Sequence, residues 1–510
     1  MNAPQHPTAG ASDGPRPPDR GDQSPDRNRW RALAVCLVGS CMVLLDVSIV
    51  NVALRSITEG LDASGSQIQW VLSGYALAFG LLLVPAGRLG DVLGRRRMFL
   101  IGVAAFTAAS ALCGAAQSAI WLVLARLVQG FAGGMITPQV SALIQQMFPG
   151  KERARAFGLL GSVIGVSTAI GPLIGGLLIQ AFGDTNGWRW VFFVNLPIGL
   201  AILPIARRLL PRHPSEARRG RQSYDPVGVV LLGVTVVVLL LPFVQEQQWT
   251  GSAKWWLVPA AAALGVGFVL WERRYRAGGR EPLVDLGLYK VRSFSFGSGM
   301  ITAYFAGFTP LFFVLTLLLQ FGLGYSALLA GVTTAPFAIA SGVMAAVAGR
   351  FVFRFGRPLV AIGLTLVLIG DLGIILAVHL ADSSPSTGWW LVAPLVVAGL
   401  GSGMVISPNQ SLTLSQVPVE RGGTAGGLIQ VGQRVGAAVG IAAVGSMFYA
   451  RVDDTRGDYA AALQVGLFIG IGFVVLALVI ALIDILVDRR HRTDPSEPER
   501  SADHAPAPAD

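Results

Sequence analysis

Fourteen runs of about 20 predominantly apolar residues follow one another along this 510-residue chain. A helix rises about 1.5 Å per residue, so each run is long enough to cross roughly 30 Å of hydrocarbon. The chain is 53% hydrophobic and only 13% charged, whereas a soluble chain usually carries about twice that share of charge. The runs therefore predict an all-α polytopic membrane protein with fourteen transmembrane helices.

The position of each apolar run, combined with the distribution of basic residues, predicts the topology. The predicted helices begin near Arg31, Trp70, Met98, Ala119, Ala156, Trp188, Val227, Lys254, Ser293, Ala327, Pro358, Trp389, Gly423 and Leu463. Lysine and arginine concentrate on the cytoplasmic side of membrane proteins. With the N-terminus inside, 32 of the 39 basic residues fall in cytoplasmic segments and five in outer segments. We therefore expect a multi-pass protein of the cell membrane with both termini in the cytoplasm. The net charge of +10 then needs no nucleic-acid partner.

An internal repeat divides the chain. GMITPQVSALIQQMFPGKERARAFG (134–158) is similar to GMVISPNQSLTLSQVPVERGGTAGG (403–427). The similarity predicts two pseudo-symmetric six-helix bundles, with helices 7 and 8 inserted between them. The predicted divisions are a disordered N-terminal tail (1–29), a first bundle (30–210), linkers with the two inserted helices (211–292), a second bundle (293–488) and a disordered C-terminal tail (489–510).

The energy source is the next question. A phosphate-binding loop of the type G-x-x-x-x-G-K-[ST] is absent, because none of the three lysines is followed by Ser or Thr. A secondary transporter, a channel or the membrane subunit of a larger complex remain possible. The three cysteines have no metal-ligand spacing, and no catalytic triad appears. We expect no enzyme activity, no metal and no cofactor.

The loop between helices 2 and 3 reads GRLGDVLGRRRMFL. Its glycines permit a close approach and a tight turn, and Asp91 can face a helix N-terminus or an arginine of the other half. The loop resembles the signature G-x-L-x-D-x-x-G-R-[KR] of the major facilitator superfamily. The matching residues are Gly87, Leu89, Asp91, Gly94, Arg95 and Arg96. The resemblance implies that this loop holds the two halves together when the cavity opens outward. The corresponding second-half loop, GRFVFRFGRP, has Arg354 at the aspartate position, so we assign the gating role to the first loop alone.

GPLIGG in helix 5 supplies small residues, Gly171, Gly175 and Gly176, against which another backbone can pack closely, and Pro172 is expected to bend the helix. The string is similar to the antiporter motif of the superfamily's exporters. Two more stretches resemble the fourteen-helix drug:proton antiporter branch of that superfamily. GWRWVFFVNLPIG begins helix 6, and LDVSIVNVAL in helix 1 contains Asp46 and Asn51. Export rather than uptake is the implied direction.

Asp46 is the only charged residue between Ala32 and Ala53. It lies about 12 Å below the outer end of helix 1, and Arg126 lies about 10 Å below the outer end of helix 4, so the two charges share a depth. Ionisable groups at that depth face the protein interior and mark functional sites. The nearby cation favours the ionised carboxylate and burial the neutral acid, so a movement of Arg126 could switch proton release. A static buried ion pair is the alternative.

Other membrane residues complete the candidate proton-coupling and substrate set. Gln129 follows Arg126 in RLVQG, and Arg434 lies in QVGQRVGAAVG; both stretches match patterns of the family. Asp371 in helix 11 is as consistent with a structural role as with a functional one. Helices 10 and 13 have no Asp or Glu at mid-depth, which disfavours polycationic substrates and leaves neutral or anionic ones open.

The resulting hypothesis is a proton-coupled exporter of small amphipathic compounds, such as drugs, antibiotics or an endogenous metabolite. Its partners would be the small molecule, protons and the lipid bilayer, with no nucleic acid, and we expect it to work as a monomer. Two alternatives stay open: a nutrient importer on the same fold, and a non-transporting membrane sensor or assembly subunit.

Overall fold

In the computed structural model, the described residues are 27–493 apart from 184, 212–224, 245–248, 250, 281 and 382–385. Within them, fourteen helices are long and apolar enough to span a membrane, and no strand occurs. The predicted class and helix count are confirmed. The predicted disorder of the tails falls largely on residues outside the described ranges.

The fourteen helices are numbered in chain order. They are α1 (Arg27–Leu61), α2 (Gly65–Leu93), α3 (Arg95–Gly114), α4 (Ala119–Met147), α5 (Gly150–Phe182), α6 (Trp188–Leu209), α7 (Pro226–Val244), α8 (Leu257–Ala277), α9 (Arg292–Leu317), α10 (Ala327–Phe355), α11 (Arg357–Ala381), α12 (Thr387–Thr413), α13 (Gly422–Asp454) and α14 (Tyr459–Thr493). Helix α6 has two pieces, Trp188–Phe193 and Asn195–Leu209. A break between these pieces was not predicted.

Several helices begin earlier than their apolar runs do. Helix α2 starts at Gly65 rather than near Trp70, because Ser64 and Gln67 form a capping box. The Gln67 amide donates to Ser64 Oγ at 3.3 Å, and the Ser64 amide donates to Gln67 Oε1 at 2.9 Å. Such a box satisfies amides that the first helical turn leaves free. Hydropathy alone does not register these polar first turns.

The packing of the helices repeats between the two halves of the chain. Helix α1 packs on α5 as α9 packs on α13, and α2 packs on α4 as α10 packs on α12. Likewise α3 contacts α4 and α6, as α11 contacts α12 and α14. Each helix of the first six therefore corresponds to the helix eight positions later. The halves meet along two equivalent seams, α2 with α13 and α5 with α10.

The inserted helices lie beside one of these seams. Helices α7 and α8 pack on each other, and α7 also packs on α2 and α13. Val84 of α2 belongs to an apolar cluster with Phe268 of α8 and with Leu283 and Val284, which follow α8. Just beyond them, Asp285 forms ion pairs with Arg276 and with Arg421, at the start of α13. The inserted segment is thereby attached to both halves.

The two ends of the bundle are distinguished by the chain termini. Arg29 in the first turn of α1 donates to the Met147 carbonyl at the end of α4 at 3.4 Å, and Trp30 packs on Phe148 with ring centroids 4.8 Å apart. Fourteen spans return the chain to the end at which it started. We call this end the termini side and the opposite end the far side.

Large apolar side chains also cover much of the outer surface of the bundle. Examples are Leu177, Leu200, Val230 and Leu380, each more than half exposed. A contiguous apolar exterior of this kind is stable in contact with lipid rather than water. The protein is a multi-pass membrane protein.

Candidate functional site

Asp46 and Arg126 form an ion pair inside the first half. Arg126 Nη1 donates to Asp46 Oδ2 at 2.6 Å, and the two side chains are 1% exposed or less. Arg126 also donates to the Gln129 Oε1 atom at 2.7 Å and to the Val71 carbonyl at 3.2 Å. The two charges at equal depth on α1 and α4 are thus in direct contact. A pair this deeply buried is held by hydrogen bonds to its remaining atoms as well as by its own attraction.

The second carboxylate oxygen receives two amide donors. Gln129 Nε2 donates to Asp46 Oδ1 at 2.7 Å, and Asn195 Nδ2 donates to the same oxygen at 3.0 Å. Both amides also reach Ser110 Oγ on α3, at 2.8 and 3.3 Å. This arrangement fits an ionised carboxylate, which accepts at both oxygens. A proton on Asp46 would turn one acceptor into a donor facing other donors, so at least one contact would have to break.

Asn195 and Ser110 were not among the predicted site residues. Asn195 is fully buried and begins the second piece of α6, directly after the break at Val194. Its only signal in the sequence is a single amide within the apolar string VFFVNLPIG. Ser110 is one of many small polar residues in the apolar runs, and nothing in its sequence surroundings distinguishes it.

Glycines of α4 determine how closely α2 approaches this pair. A Cβ at Gly130 would lie 3.0 Å from Ala78 Cβ and closer still to the Tyr75 carbonyl, and a Cβ at Gly133 would lie 3.0 Å from Tyr75 Oη. Without side chains at these positions, the Tyr75 ring reaches Arg126, with Cζ 4.1 Å from the ring centroid. Such a contact adds cation–π attraction to the ion pair. Small residues allow helices to pack closely in membranes.

Tyr75 and Phe79 extend the contact to the second half; we call these two rings the aromatic column. The rings stack with centroids 6.0 Å apart, and the Arg434 Cζ atom of α13 lies 4.6 Å from the Phe79 centroid. One end of the column thus contacts Arg126 and the other contacts Arg434. The order of contacts is Asp46, Arg126, the column and Arg434.

A cavity of about 310 Å³ lies between the halves. Helices α1, α2, α4 and α5 line one side of it, and α9, α12 and α13 line the other. This volume is at the lower end of the range for small-molecule sites. Asn51 and Arg434 line the cavity, whereas Asp46, Arg126 and Gln129 lie behind its wall. These predicted coupling and substrate residues therefore form two neighbouring groups, one on the cavity wall and one behind it.

The last turns of α2 join the halves on the termini side; they are helical, and of the predicted loop only Gly94 lies between α2 and α3. Asp91 Oδ1 accepts from the Gly423 amide at 3.0 Å, and Oδ2 accepts from the Thr424 amide at 2.9 Å and from Thr424 Oγ1 at 3.2 Å. These amides belong to the first turn of α13, whose dipole favours a negative charge. Asp91 also pairs with Arg95 at 3.0 Å. It thus faces a helix N-terminus of the other half, while its arginine partner belongs to its own half.

Gly87 of α2, Gly94 at the turn, and Arg95 and Arg96 of α3 complete this contact, which we call the latch. A Cβ at Gly87 would lie 2.6 Å from the Gly423 carbonyl carbon, so α2 and α13 touch backbone to backbone. Gly94 has φ +102°, which suits glycine at the turn between α2 and α3. Arg95 donates to the Ala142 carbonyl at 3.0 Å and to the Val419 carbonyl, and Arg96 donates to the carbonyl at 207.

The glycines of α5 pack against α1 at one end of the helix and against the second half at the other. Near the far side, a Cβ at Gly171 would lie 2.5 Å from Ser48 Cβ, and one at Gly175 would lie 2.9 Å from Ile49 Cγ1. These positions pack against α1 close to Asp46. The helix continues through Pro172 without a break. A Cβ at Gly176 would meet nothing within 4 Å, so this glycine takes no part in the contact with α1. Glycines 158, 161 and 165 instead pack on α10 and α12 of the second half.

Asp371 lies apart from both the cavity and the ion pair. It is 4% exposed on α11, and its Oδ1 atom has no hydrogen-bond partner among the described residues. Helix α11 packs on α12 and α14. In the described part of the chain, no group of three or more His, Cys, Asp and Glu could hold a metal ion.

Comparison with known proteins identifies the family. The model of the Major Facilitator Superfamily matches residues 36–441. The chain is 38% identical over 441 residues to the probable actinorhodin transporter of Streptomyces coelicolor, covering 86% of this chain and 75% of that protein. It is 35% identical over 434 residues to the tetracenomycin C resistance and export protein of Streptomyces glaucescens, covering 84% and 78%. The crystal structure of the human organic anion transporter MFSD10 (TETRAN) has the same fold, with a TM-score of 0.65 at 15% identity over 90% of this chain and 100% of that one.

The chain therefore belongs to the major facilitator superfamily, as the motif between Gly87 and Arg96 predicted. It is a membrane transporter rather than an enzyme. Its relatives named for antibiotic transport and resistance relate it to the drug-efflux branch.

Proposed function

We propose that the protein exports small amphipathic compounds across the cell membrane in exchange for protons. One observation carries this proposal: a fully buried carboxylate, Asp46, is paired with Arg126 directly behind the wall of a cavity between the two halves. Relatives named for actinorhodin transport and for tetracenomycin C export support the direction of transport. The excess of basic residues in alternate loops supports cytoplasmic termini, so the termini side would face the cytoplasm.

The proposed coupling begins with the contacts of Asp46. In its ionised form, Asp46 holds α1 to α4 and to α6 through Arg126, Gln129 and Asn195. Protonation removes the charge that Arg126 compensates and breaks at least one of these contacts. Because Asp46 is fully buried, a proton reaches it only when the surrounding helices move. Protonation and conformation then depend on each other, as exchange by alternating access requires.

The latch supplies the conformational element. With Asp91 bound to the first turn of α13, the halves are joined on the termini side. Gln410 of α12 adds a hydrogen bond to Ser141 of α4 at 3.0 Å. In our proposal this closed termini side is the state that releases substrate outward. Protonation of Asp46 then favours release of the latch, which opens the cavity to the cytoplasm.

The test uses everted membrane vesicles with an imposed proton gradient and a panel of antibiotics and dyes. Wild-type protein should accumulate at least one compound, and a protonophore should abolish the accumulation. Asp46→Asn should lose it, because the neutral side chain cannot cycle a proton. Asp371→Asn is the matched control, since it neutralises another buried aspartate, one that lies in a membrane helix outside the site, and should retain transport.

Four results would contradict the proposal or redirect it. Accumulation that survives the protonophore, or that survives Asp46→Asn, excludes proton exchange at this residue. Gradient-driven uptake in right-side-out vesicles alone would indicate an importer. A folded wild-type protein that moves no compound in either orientation would favour a sensor or an assembly subunit.

A further inference from the structure

We propose that the central cavity selects amphipathic compounds with a negative charge, and that Arg434 is the residue that binds this charge. The inference rests on the proposed export function and specifies its substrate class. Arg434 is the only charged residue among the described residues that line the cavity. The other polar lining groups are hydroxyls and amides, including Asn51, Gln410 and Gln433. A cationic ligand would therefore meet no carboxylate on the cavity wall.

No acidic side chain in the described ranges pairs with Arg434. Among the described residues it forms no hydrogen bond and no ion pair, and its nearest aromatic contact is the Phe79 ring. The buried pair behind the wall contributes little net charge, because Asp46 and Arg126 compensate each other at 2.6 Å. The cavity thus carries a net positive charge. An unpaired cation in a membrane interior is costly, and an anionic ligand would relieve that cost.

The remaining wall indicates the rest of the ligand. Phe79, Phe305 and Phe308 present aromatic rings to the cavity, and the last two pack with centroids 5.5 Å apart. Aromatic ligands bind such rings by stacked or edge-on contacts. A guanidinium presents a planar set of donors that matches a carboxylate. The expected ligand is an aromatic or polycyclic body of a few rings with one carboxylate or phenolate.

Binding is tested without any gradient, using purified protein in lipid nanodiscs. Three probes share one aromatic ring system and differ in charge: coumarin-3-carboxylate, its ethyl ester and its aminoethyl amide. Titration calorimetry should show the wild type binding the carboxylate at least ten-fold more tightly than the cationic amide. Arg434→Gln should weaken carboxylate binding about 10- to 100-fold, the equivalent of one charged hydrogen bond, and leave the ester within a factor of about three. Arg434→Lys should restore part of the preference.

Arg451→Gln is the matched control, because Arg451 is an exposed arginine in the last turn of the same helix. It should bind all three probes as the wild type does. The inference fails if the amide binds the wild type as tightly as the carboxylate, if no probe binds, or if Arg434→Gln binds the carboxylate unchanged. Equal weakening of all three probes, with a lower melting temperature, would assign Arg434 a structural role and also overturn it.

The two proposals can fail separately. If the preference for the carboxylate depends on Arg434 but transport does not depend on a proton gradient, the inference about Arg434 holds and the proposed proton antiport is wrong. If transport requires Asp46 but favours cationic compounds and is unaffected by Arg434→Gln, the proton antiport holds and the inference about Arg434 is wrong.

Discussion

The backbone contact between Gly87 and Gly423 allows a quantitative prediction about the latch. A methyl group at residue 87 would place its carbon 2.6 Å from the Gly423 carbonyl carbon and 3.1 Å from the Thr424 nitrogen. Carbon atoms in contact lie about 3.5 Å apart or more. Gly87→Ala therefore requires α2 and α13 to separate by about 1 Å at this point, since neither neighbouring atom belongs to a flexible side chain.

That displacement is large compared with the tolerance of the latch. The hydrogen bonds from the Gly423 and Thr424 amides to Asp91 are 3.0 and 2.9 Å long, and about 1 Å more takes both out of range. Each such bond to a charged group is worth about 1.5–3 kcal/mol. Water entering the opened contact offsets part of this loss, so we expect a net shift of about 2–3 kcal/mol against the closed termini side. This corresponds to about 30- to 150-fold in the equilibrium between closed and open states.

The shift can be measured as a distance distribution. Spin labels at Leu93 and Gln416, which are exposed on the termini side of opposite halves, report their separation by electron resonance. The natural cysteines are replaced first; they are Cys36, Cys41 and Cys113. Gly87→Ala should move most of the population to longer distances. The control is Gly472→Ala in α14, where a Cβ meets nothing within 4 Å.

Gly472→Ala should retain the wild-type distribution, which shows that the alanine substitution itself is harmless in a membrane helix. A folded Gly87→Ala protein with the wild-type distribution would refute the reasoning, because the helices would then have absorbed the methyl group without opening the latch.

Three more predictions concern the buried pair and the aromatic column. Arg126→Leu alone leaves Asp46 without its cation and should lower the free energy of unfolding by about 3–5 kcal/mol, whereas Arg126→Leu combined with Asp46→Leu should lower it clearly less. Thermal melting of the two single variants and the double variant checks this, and additive losses would contradict it. Asn195→Leu removes one of the two amide donors to Asp46 Oδ1, so proton-driven accumulation in everted vesicles should fall; wild-type accumulation in this variant would exclude Asn195 from the coupling site. We expect the column to connect substrate binding at Arg434 with proton exchange at Asp46; Phe79→Leu interrupts it while keeping an apolar side chain, so substrate should still bind but stimulate proton exchange less, and full stimulation would show that the column does not connect the two.

Part of the candidate site could be predicted because membrane depth is encoded along the chain. The distance of Asp46 and Arg126 from the ends of their apolar runs placed the two charges at one level, and the structure shows them in contact. The loop motif placed Asp91 where it could meet a helix N-terminus, and it binds that of α13. Asn195 was not predicted because its position at the ion pair depends on a break in α6, and the apolar sequence around it gives no sign of that break.

The sequence by itself determined the helical class, the number of spans and the depth of each charge. It could do so because lipid requires every spanning backbone to be hydrogen-bonded internally and every charge to be accommodated at a known level. Only the tertiary structure decided which way each helix faces around its own axis. That rotation placed Arg434 on the cavity wall and Asp46 behind it. It also brought Tyr75 and Phe79 between Arg126 and Arg434. Helix packing likewise set α7 and α8 beside the seam of α2 and α13. The physical reason is that rotation follows from close packing at glycines such as Gly130 and Gly87, and each of these contacts depends on a partner helix far away in the sequence.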